Sequence, residues 1–232
     1  MKLHVREEGS GEKIAILIHG GTGDSGTWFD TTPTLLEKGY RVLMPDLRGH
    51  GESAWADSYT QEDFADDLVE SLPVGADVIM GHSLGGRALI LAVDRLLPKR
   101  AIYLDPGWII PEVPDEENTP IRRDGSIASV EEYQAMNPRW SRAHIEQSLA
   151  SLAKFDRRII PVNRIQLDDY HPSVPPAVPS LVVLADPSPL VPPSEEERLR
   201  EGGYEFRTVK GSGHVFFADD HEGYLRALEG WI

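Results

Sequence analysis

The sequence predicts an α/β protein with a mostly parallel central sheet flanked by helices. Short runs such as Ile14–Ile18 and Leu181–Leu184 are apolar throughout rather than alternating, which is typical of strands buried on both faces of a sheet. Segments with helical periodicity lie between such runs. Alternating strands and helices favour a parallel sheet joined by right-handed crossovers.

Seven segments are predicted strands, and start signals mark several of the helices between them. Thr32 supplies an N-cap and Pro33 a first helical residue for one helix. Thr60 and Asp63 resemble a capping box at the start of a helix over Gln61–Leu72, and another helix is predicted over Leu84–Leu97. The predicted strands are Leu3–Arg6, Lys13–His19, Tyr40–Pro45, Ala76–Met80, Ala101–Leu104, Ser180–Ala185 and Tyr204–Val209.

Residues 107–179 interrupt the alternation. Of the 18 prolines in the chain, 14 lie between Pro106 and Pro193, and the interruption is too long for an ordinary connection. It contains two predicted helices, Val130–Met136 and Arg142–Lys154. We therefore predict a cap or lid over the carboxyl edge of the sheet, inserted into a core formed by residues 1–106 and 180–232.

Charge and composition exclude several classes of function. The 232 residues carry a net charge of −15 and no cysteine, so nucleic acid and anionic membranes are disfavoured as partners. Disulfides and cysteine nucleophiles are ruled out. The first residues lack the apolar core of a signal peptide, and apolar runs are far too short to span a membrane. The expectation is a cytoplasmic protein.

The segment Gly81-His82-Ser83-Leu84-Gly85 matches G-x-S-x-G. It follows a predicted strand and precedes a predicted helix, the context that a nucleophile elbow requires. The glycines are needed because the serine sits on a tight turn, where neighbouring side chains would clash. Ser83 is therefore the predicted nucleophile, and His82 within the elbow is expected to point away from it.

Backbone N–H groups can supply an oxyanion hole beside this serine. His19-Gly20-Gly21 lies directly after the apolar run Ile14–Ile18. The N–H of Gly21 and that of Leu84, the residue after the nucleophile, are the predicted donors.

A serine nucleophile needs a base and an acid that orients the base. Among eight histidines, His214 lies in a glycine-flanked loop after the last predicted strand, whereas His19 and His50 lie in turns and are interpreted as structural. Asp105 and Asp186 both end predicted strands and precede a proline. Asp186 is preferred because its loop directly precedes the helix and strand that lead to His214; Asp105 remains the alternative.

Taken together these motifs, with Asp46-Leu47-Arg48-Gly49-His50-Gly51-Glu52-Ser53, resemble the α/β-hydrolase superfamily, in a serine-nucleophile carboxylesterase or lactonase-like branch. The resemblance spans nearly the whole chain except the cap. It implies an eight-stranded, mostly parallel sheet with a lid inserted after the sixth strand. It also argues against epoxide and haloalkane hydrolysis, because family members with those activities carry aspartate where Ser83 stands.

A second motif suggests a dinucleotide-binding protein instead of a hydrolase. Gly21-Thr22-Gly23-Asp24-Ser25-Gly26 matches G-x-G-x-x-G after a strand, and Asp46 ends the next strand, as in dinucleotide-binding folds. However, no helix is predicted to begin at these glycines, so there is no helix N-terminus to bind the pyrophosphate. A dinucleotide-dependent oxidoreductase is therefore a minor alternative, beside a non-catalytic ligand-binding protein on the hydrolase scaffold.

The predicted function is hydrolysis of a carboxylic ester or lactone through Ser83, His214 and Asp186. The acidic net charge and the aromatic residues of the predicted cap favour a neutral, partly apolar small molecule, with Trp108 and Trp140 as candidate substrate contacts. No cofactor is required. No histidine and carboxylate cluster has metal-ligand spacing, so no metal is expected.

Overall fold

A computed structural model describes residues 1–109, 120–121, 126–158 and 169–232. Seven strands form a single sheet in the order β1-β3-β2-β4-β5-β6-β7. β1 runs antiparallel to β3, and every other neighbouring pair is parallel. The strands are β1 Val5–Glu8, β2 Lys13–Ile18, β3 Tyr40–Pro45, β4 Val78–His82, β5 Ala101–Leu104, β6 Ser180–Leu184 and β7 Glu205–Thr208.

Helices cover both faces of this sheet, and a short 3₁₀ helix, Ser25–Trp28, follows β2. The α-helices are α1 Thr31–Glu37, α2 Gln61–Ser71, α3 Leu84–Leu96, α4 Val130–Met136, α5 Arg142–Ala153, α6 Pro193–Glu201, α7 Phe216–Asp219 and α8 His221–Ala227. One buried apolar cluster joins the sheet to α2, α3 and α6, and the other joins it to α1, α7 and α8. The predicted α/β architecture is confirmed.

Strand burial explains why the apolar runs were informative. Every residue of β4, β5 and β6 is buried, as are the last four residues of β2. These strands have helices on both faces, so most of their positions are apolar. The predicted capping box is also present: the Thr60 side chain accepts from Asp63 N, and the Asp63 carboxylate accepts from Thr60 N.

The eight strands implied by the family resemblance are not reached in the described residues. Residues 9–12 connect β1 directly to β2 in a turn, and a Cβ added to Gly11 would lie 2.0 Å from the carbonyl oxygen of Gly39. Four residues between Glu8 and Lys13 are too few to form a further strand with its connections. The segment expected after a sixth strand therefore follows the fifth, β5.

The described part of residues 107–179 contains α4 and α5. A capping box at Ser129 and Glu132 begins α4, and Ser141 caps α5. α5 packs against the 3₁₀ helix, where Gln147 Nε2 donates to Asp24 Oδ1 over 3.0 Å. The division of the chain into a core and a cap stays a prediction. Within the described ranges no helix has the length and apolar character needed to cross a membrane.

Candidate active site

Ser83 occupies a sharp turn between β4 and α3. Its backbone has φ +50° and ψ −114°. Residues other than glycine rarely adopt this backbone conformation, and those that do are concentrated at functional sites. The surrounding backbone holds the turn, since Ser83 N–H donates to Leu104 O over 3.0 Å and Ser83 O accepts from Gly107 N over 3.0 Å. The predicted strand–turn–helix elbow is therefore present.

Close backbone contacts explain the glycines of this elbow. A Cβ added to Gly81 would lie 2.5 Å from the carbonyl oxygen of Gly85, and one added to Gly85 would lie 2.5 Å from the carbonyl oxygens of Ile18 and His19. These obstacles are main-chain atoms, which cannot move without disturbing β2. Only glycine lets α3 start this close to the sheet.

His214 lies in the loop after β7, and its ring meets a buried carboxylate. His214 Nδ1 is 2.6 Å from Asp105 Oδ2. Asp105 is fully buried, and its Oδ1 accepts from Ala185 N over 3.3 Å. A carboxylate can only accept, so the neutral imidazole carries its proton on Nδ1 and leaves Nε2 free to accept a proton.

The structure corrects the prediction for Asp186. That residue is exposed, and its Oδ2 accepts from Gly211 N over 3.0 Å instead of contacting His214. The strand order gives the reason: Asp105 follows β5, the direct neighbour of β4, whereas Asp186 follows β6, one strand further away. Neighbouring strands lie about 4.8 Å apart, so Asp105 is the aspartate that ends beside the elbow.

His82 was missed by sequence reasoning as a residue of this site. Its ring lies 4.7 Å from that of His214, centroid to centroid, and its Nε2 donates to the backbone oxygen of His214 over 3.0 Å. Burial holds the pKa of His82 well below its ordinary value, so the ring stays neutral. His82 thus helps to hold the His214 backbone in place. Its position before the elbow serine was the available signal.

The peptide before Gly21 is oriented by His19. Gly20 O accepts from His19 Nδ1 over 2.7 Å and from Gly23 N over 3.1 Å. In a trans peptide the N–H points opposite to the C=O, so the N–H of Gly21 faces away from these two donors. Leu84, the other predicted donor, is the first residue of α3, where N–H groups have no acceptor within the helix.

His19 and His50 are buried and tie neighbouring loops together. His19 Nε2 accepts from Leu47 N over 2.9 Å, and His50 Nε2 contacts Gly21 O at 3.0 Å. Burial lowers the pKa of His19 to about 3 and also lowers the pKa of His50. The His19 ring is therefore neutral at pH 7.

These pKa values predict that the protein loses stability as the pH falls below about 6.5. Between that value and the folded-state pKa, the unfolded chain binds a proton that the folded chain does not bind. For His19 alone the loss at pH 5 is about 2 kcal/mol relative to pH 7.5. Urea unfolding at the two pH values measures it. In a His19→Asn variant the difference between the two pH values should shrink by a similar amount; an unchanged difference would contradict the assignment.

Ser83 and His214 open onto one pocket of about 290 Å³. Aromatic rings and small polar side chains form its walls, and Tyr133, Trp140, His144 and Gln147 come from α4, α5 and the turn between them. The lining residues are Gly20, Gly21, Thr22, Gly23, Thr27, Phe29, His82, Ser83, Tyr133, Trp140, His144, Gln147, Ser148, His214, Val215, Phe217 and Ala218. Among the described residues, no group of three or more histidine and acidic side chains is placed to hold a metal ion.

A match to a family model identifies the protein family of this chain. The family model described as the alpha/beta hydrolase family matches residues 15–227. The chain belongs to the α/β-hydrolase family.

Two curated relatives of this α/β hydrolase are similar over part of their length. Methylesterase 9 of Arabidopsis thaliana is 36% identical over 114 residues, which are 47% of this chain and 43% of that protein. Epoxide hydrolase of Caballeronia sordidicola is 30% identical over 133 residues, 53% of this chain and 38% of that protein. The match thus covers less than half the length of these relatives.

Solved structures are similar over nearly the whole chain. N-formylmaleamic acid deformylase from Pseudomonas putida S16 superposes with a TM-score of 0.80 at 24% identity, covering 97% of this chain and 95% of that one. A thermophilic esterase from Thermogutta terrifontis gives a TM-score of 0.73 at 23% identity, covering 99% and 92%. At such identities the similarity supports the fold alone.

The two tryptophans predicted to touch substrate in this α/β hydrolase have different positions. Trp140 lines the pocket. Trp108 does not: it is fully buried, with its ring 5.3 Å from that of Tyr103 and 6.4 Å from that of Tyr204. The chain stays close to the sheet after β5, since Gly107 N donates to Ser83 O, and this path turns Trp108 into the core.

Alanine substitutions should separate the two roles. Trp108→Ala leaves a large core cavity and is expected to lower the free energy of unfolding by about 3–5 kcal/mol. Trp140→Ala opens the pocket wall, so it should favour larger substrates with a much smaller loss of stability. Urea unfolding and kcat/KM on esters of graded chain length measure both. A Trp108→Ala variant of wild-type stability would contradict the burial argument.

The dinucleotide fingerprint serves a structural purpose here. The glycines lead into the four-residue 3₁₀ helix, whose N-cap Asp24 accepts from Gly26 N over 2.8 Å. Asp46, the candidate ribose ligand, accepts from Ser25 N over 2.6 Å and from Glu52 N over 2.9 Å. Its carboxylate is thus engaged by backbone, and the geometry argues against a dinucleotide site.

Proposed function

We propose that this α/β hydrolase cleaves a carboxylic ester or lactone through Ser83, His214 and Asp105, with a covalent acyl-enzyme intermediate. The observation that carries the proposal is the 2.6 Å contact between His214 Nδ1 and buried Asp105, beside a serine held at positive φ on the same pocket. Asp105 thereby takes the role that the sequence assigned to Asp186.

The proposed steps use groups of this chain and one water molecule. His214 Nε2 takes the proton of Ser83 Oγ while Oγ attacks the substrate carbonyl carbon. The N–H groups of Gly21 and Leu84 stabilise the oxyanion, and His214 returns the proton to the departing alkoxide. Water, deprotonated by His214, then attacks the acyl-enzyme; the carboxylic acid leaves and Ser83 regains its proton. Asp105 stabilises the imidazolium formed in each half-reaction.

Pocket shape and chemistry support a compact, neutral, partly apolar substrate. A volume of about 290 Å³ lies at the lower end of the range for small-molecule sites. Phe29, Trp140 and Phe217 offer apolar contact, and the described lining contains neither lysine nor arginine to pair with a substrate anion. The net charge of −15 also disfavours polyanions.

Two other activities fit the fold less well. Epoxide hydrolysis in this family relies on an aspartate nucleophile by the resemblance stated above, and serine stands at that position here. A non-catalytic ligand-binding protein would have no need to keep a strained serine beside a histidine and carboxylate pair. The pairing of Asp105 with His214 on the pocket that Ser83 also lines supports catalysis rather than binding alone.

Labelling and turnover test the proposal together. A fluorophosphonate probe should label the wild-type protein at Ser83, as mapped by mass spectrometry of the labelled peptide. p-Nitrophenyl esters from acetate to octanoate, run beside γ- and δ-lactones, then rank kcat/KM by acyl length and ring. Saturable binding of these compounds without labelling or turnover would indicate a binding protein instead. Labelling at a serine other than Ser83 would overturn the assignment of the nucleophile.

A further inference from the structure

Asp219 joins the loop that carries His214 to the segment between α4 and α5. Its carboxylate is mostly buried, with 10% of the side chain exposed. Oδ2 accepts from Gly213 N over 2.7 Å, one residue before His214. The same carboxylate accepts from Trp140 Nε1 over 3.0 Å at Oδ1 and from Arg139 Nη2 over 2.8 Å at Oδ2.

Arg139 also contacts the His214 loop directly. Its Nη1 donates to Gly211 O over 2.7 Å while Nη2 pairs with Asp219. A planar guanidinium can bridge a carbonyl and a carboxylate at once, which a lysine ammonium cannot reproduce in the same geometry. Arg139 and Trp140 therefore hold the His214 loop from outside at two points.

The loop needs such restraint because it is rich in glycine. Gly211 has φ +70°, and Gly211 and Gly213 flank Ser212, so the chain itself limits the backbone little. Asp105 fixes the His214 ring and His82 fixes its carbonyl oxygen. The Gly213 N–H bond to Asp219 fixes the backbone on the preceding residue.

We infer that Asp219, Arg139 and Trp140 form a latch that positions the His214 imidazole for reaction. The inference rests on the proposed role of His214 as the base. A displacement of about 1 Å in a reacting group can cost on the order of a hundredfold in rate, so a base on a glycine-rich loop gains from fixed anchors. Because Trp140 also lines the pocket, the latch connects the substrate wall to the base.

Three variants test the latch. Asp219→Asn removes the charge and one acceptor, and Arg139→Gln removes the bridge to Gly211 O. The matched control is Arg142→Gln, an exposed arginine at the start of α5 that pairs with Glu146 over 2.7 Å. Asp219→Asn is expected to lower kcat about tenfold and Arg139→Gln about threefold, with KM within twofold of wild type. Arg142→Gln should stay within twofold in both constants.

The double variant Arg139→Gln/Asp219→Asn tests whether the two residues act together. If Arg139 acts mainly through Asp219, the double variant should be about as slow as Asp219→Asn alone, because coupled residues are not additive. A purely structural role predicts lower thermal midpoints with unchanged kcat, and that outcome would overturn the inference. Equal losses in Arg142→Gln would overturn it as well. Arg139 is half exposed, so its variant keeps the test available if Asp219→Asn fails to fold.

A readout without turnover separates this inference from the proposed function. The His214 Nδ1 proton, held against Asp105, should give a low-field NMR resonance in the wild-type protein. The latch predicts that this resonance broadens by faster exchange in Asp219→Asn and Arg139→Gln, but not in Arg142→Gln. Unchanged spectra in both latch variants would overturn the latch. A wild-type protein that neither turns over esters nor reacts with fluorophosphonate would instead overturn the function, while the spectra still decide the latch.

Discussion

Ser83→Ala is expected to lower kcat on the best ester substrate by about a millionfold, to the level left by the oxyanion hole and substrate binding alone. The reason is that the alanine methyl group cannot attack a carbonyl, and His214 then has no proton to take. The fold should survive, because alanine and serine face the same strain at φ +50°. Initial rates at high enzyme concentration, with circular dichroism of the same sample, measure both expectations.

Ser173→Ala provides the matched control, since Ser173 is exposed and lies outside the pocket lining. Its kcat should remain within twofold of wild type, and fluorophosphonate labelling should persist in it and vanish in Ser83→Ala. Retention of more than about 1% of wild-type activity by purified, folded Ser83→Ala would exceed the expected residual rate. That result would assign the chemistry to another group.

Asp105→Asn is expected to lower kcat about ten thousandfold at pH 7, by analogy with the same change in serine proteases. An asparagine NH₂ facing His214 Nδ1 favours the tautomer with the proton on Nε2, and this nitrogen can then no longer accept the serine proton. Asp105 is fully buried 2.6 Å from the ring, so water cannot replace the lost interaction.

Asp186→Asn should keep kcat within about threefold of wild type. An asparagine oxygen can still accept from Gly211 N–H, which is the contact that Asp186 makes. Both variants replace an aspartate carboxylate with an amide, and the two aspartates follow adjacent strands. Each variant is therefore a control for the other. A larger loss in Asp186→Asn than in Asp105→Asn, with both folded by circular dichroism, would return the acid role to Asp186.

Local physics explains what could be predicted about the fold and the elbow. A strand covered on both faces is mostly apolar, so β4, β5 and β6 were visible as short apolar runs. A Cβ added at position 81 or 85 would lie 2.5 Å from main-chain oxygens, so both positions require glycine. Both glycines belong to one five-residue motif and are therefore visible in the local sequence. The strand–turn–helix at Ser83 could be predicted from its own short segment, and the α/β sheet from the alternation of strands and helices along the chain.

By itself, then, the sequence determined the class of sheet, the elbow and the α/β-hydrolase family to which the chain belongs. Only the tertiary structure decided which aspartate meets His214 and which tryptophan faces the pocket. Asp105 and Asp186 share one local pattern, a strand end before proline, and they differ in whether that strand neighbours β4. Trp108 and Trp140 likewise differ in the path of the chain that carries them. Such differences arise from contacts between distant segments, which no local run of residues encodes.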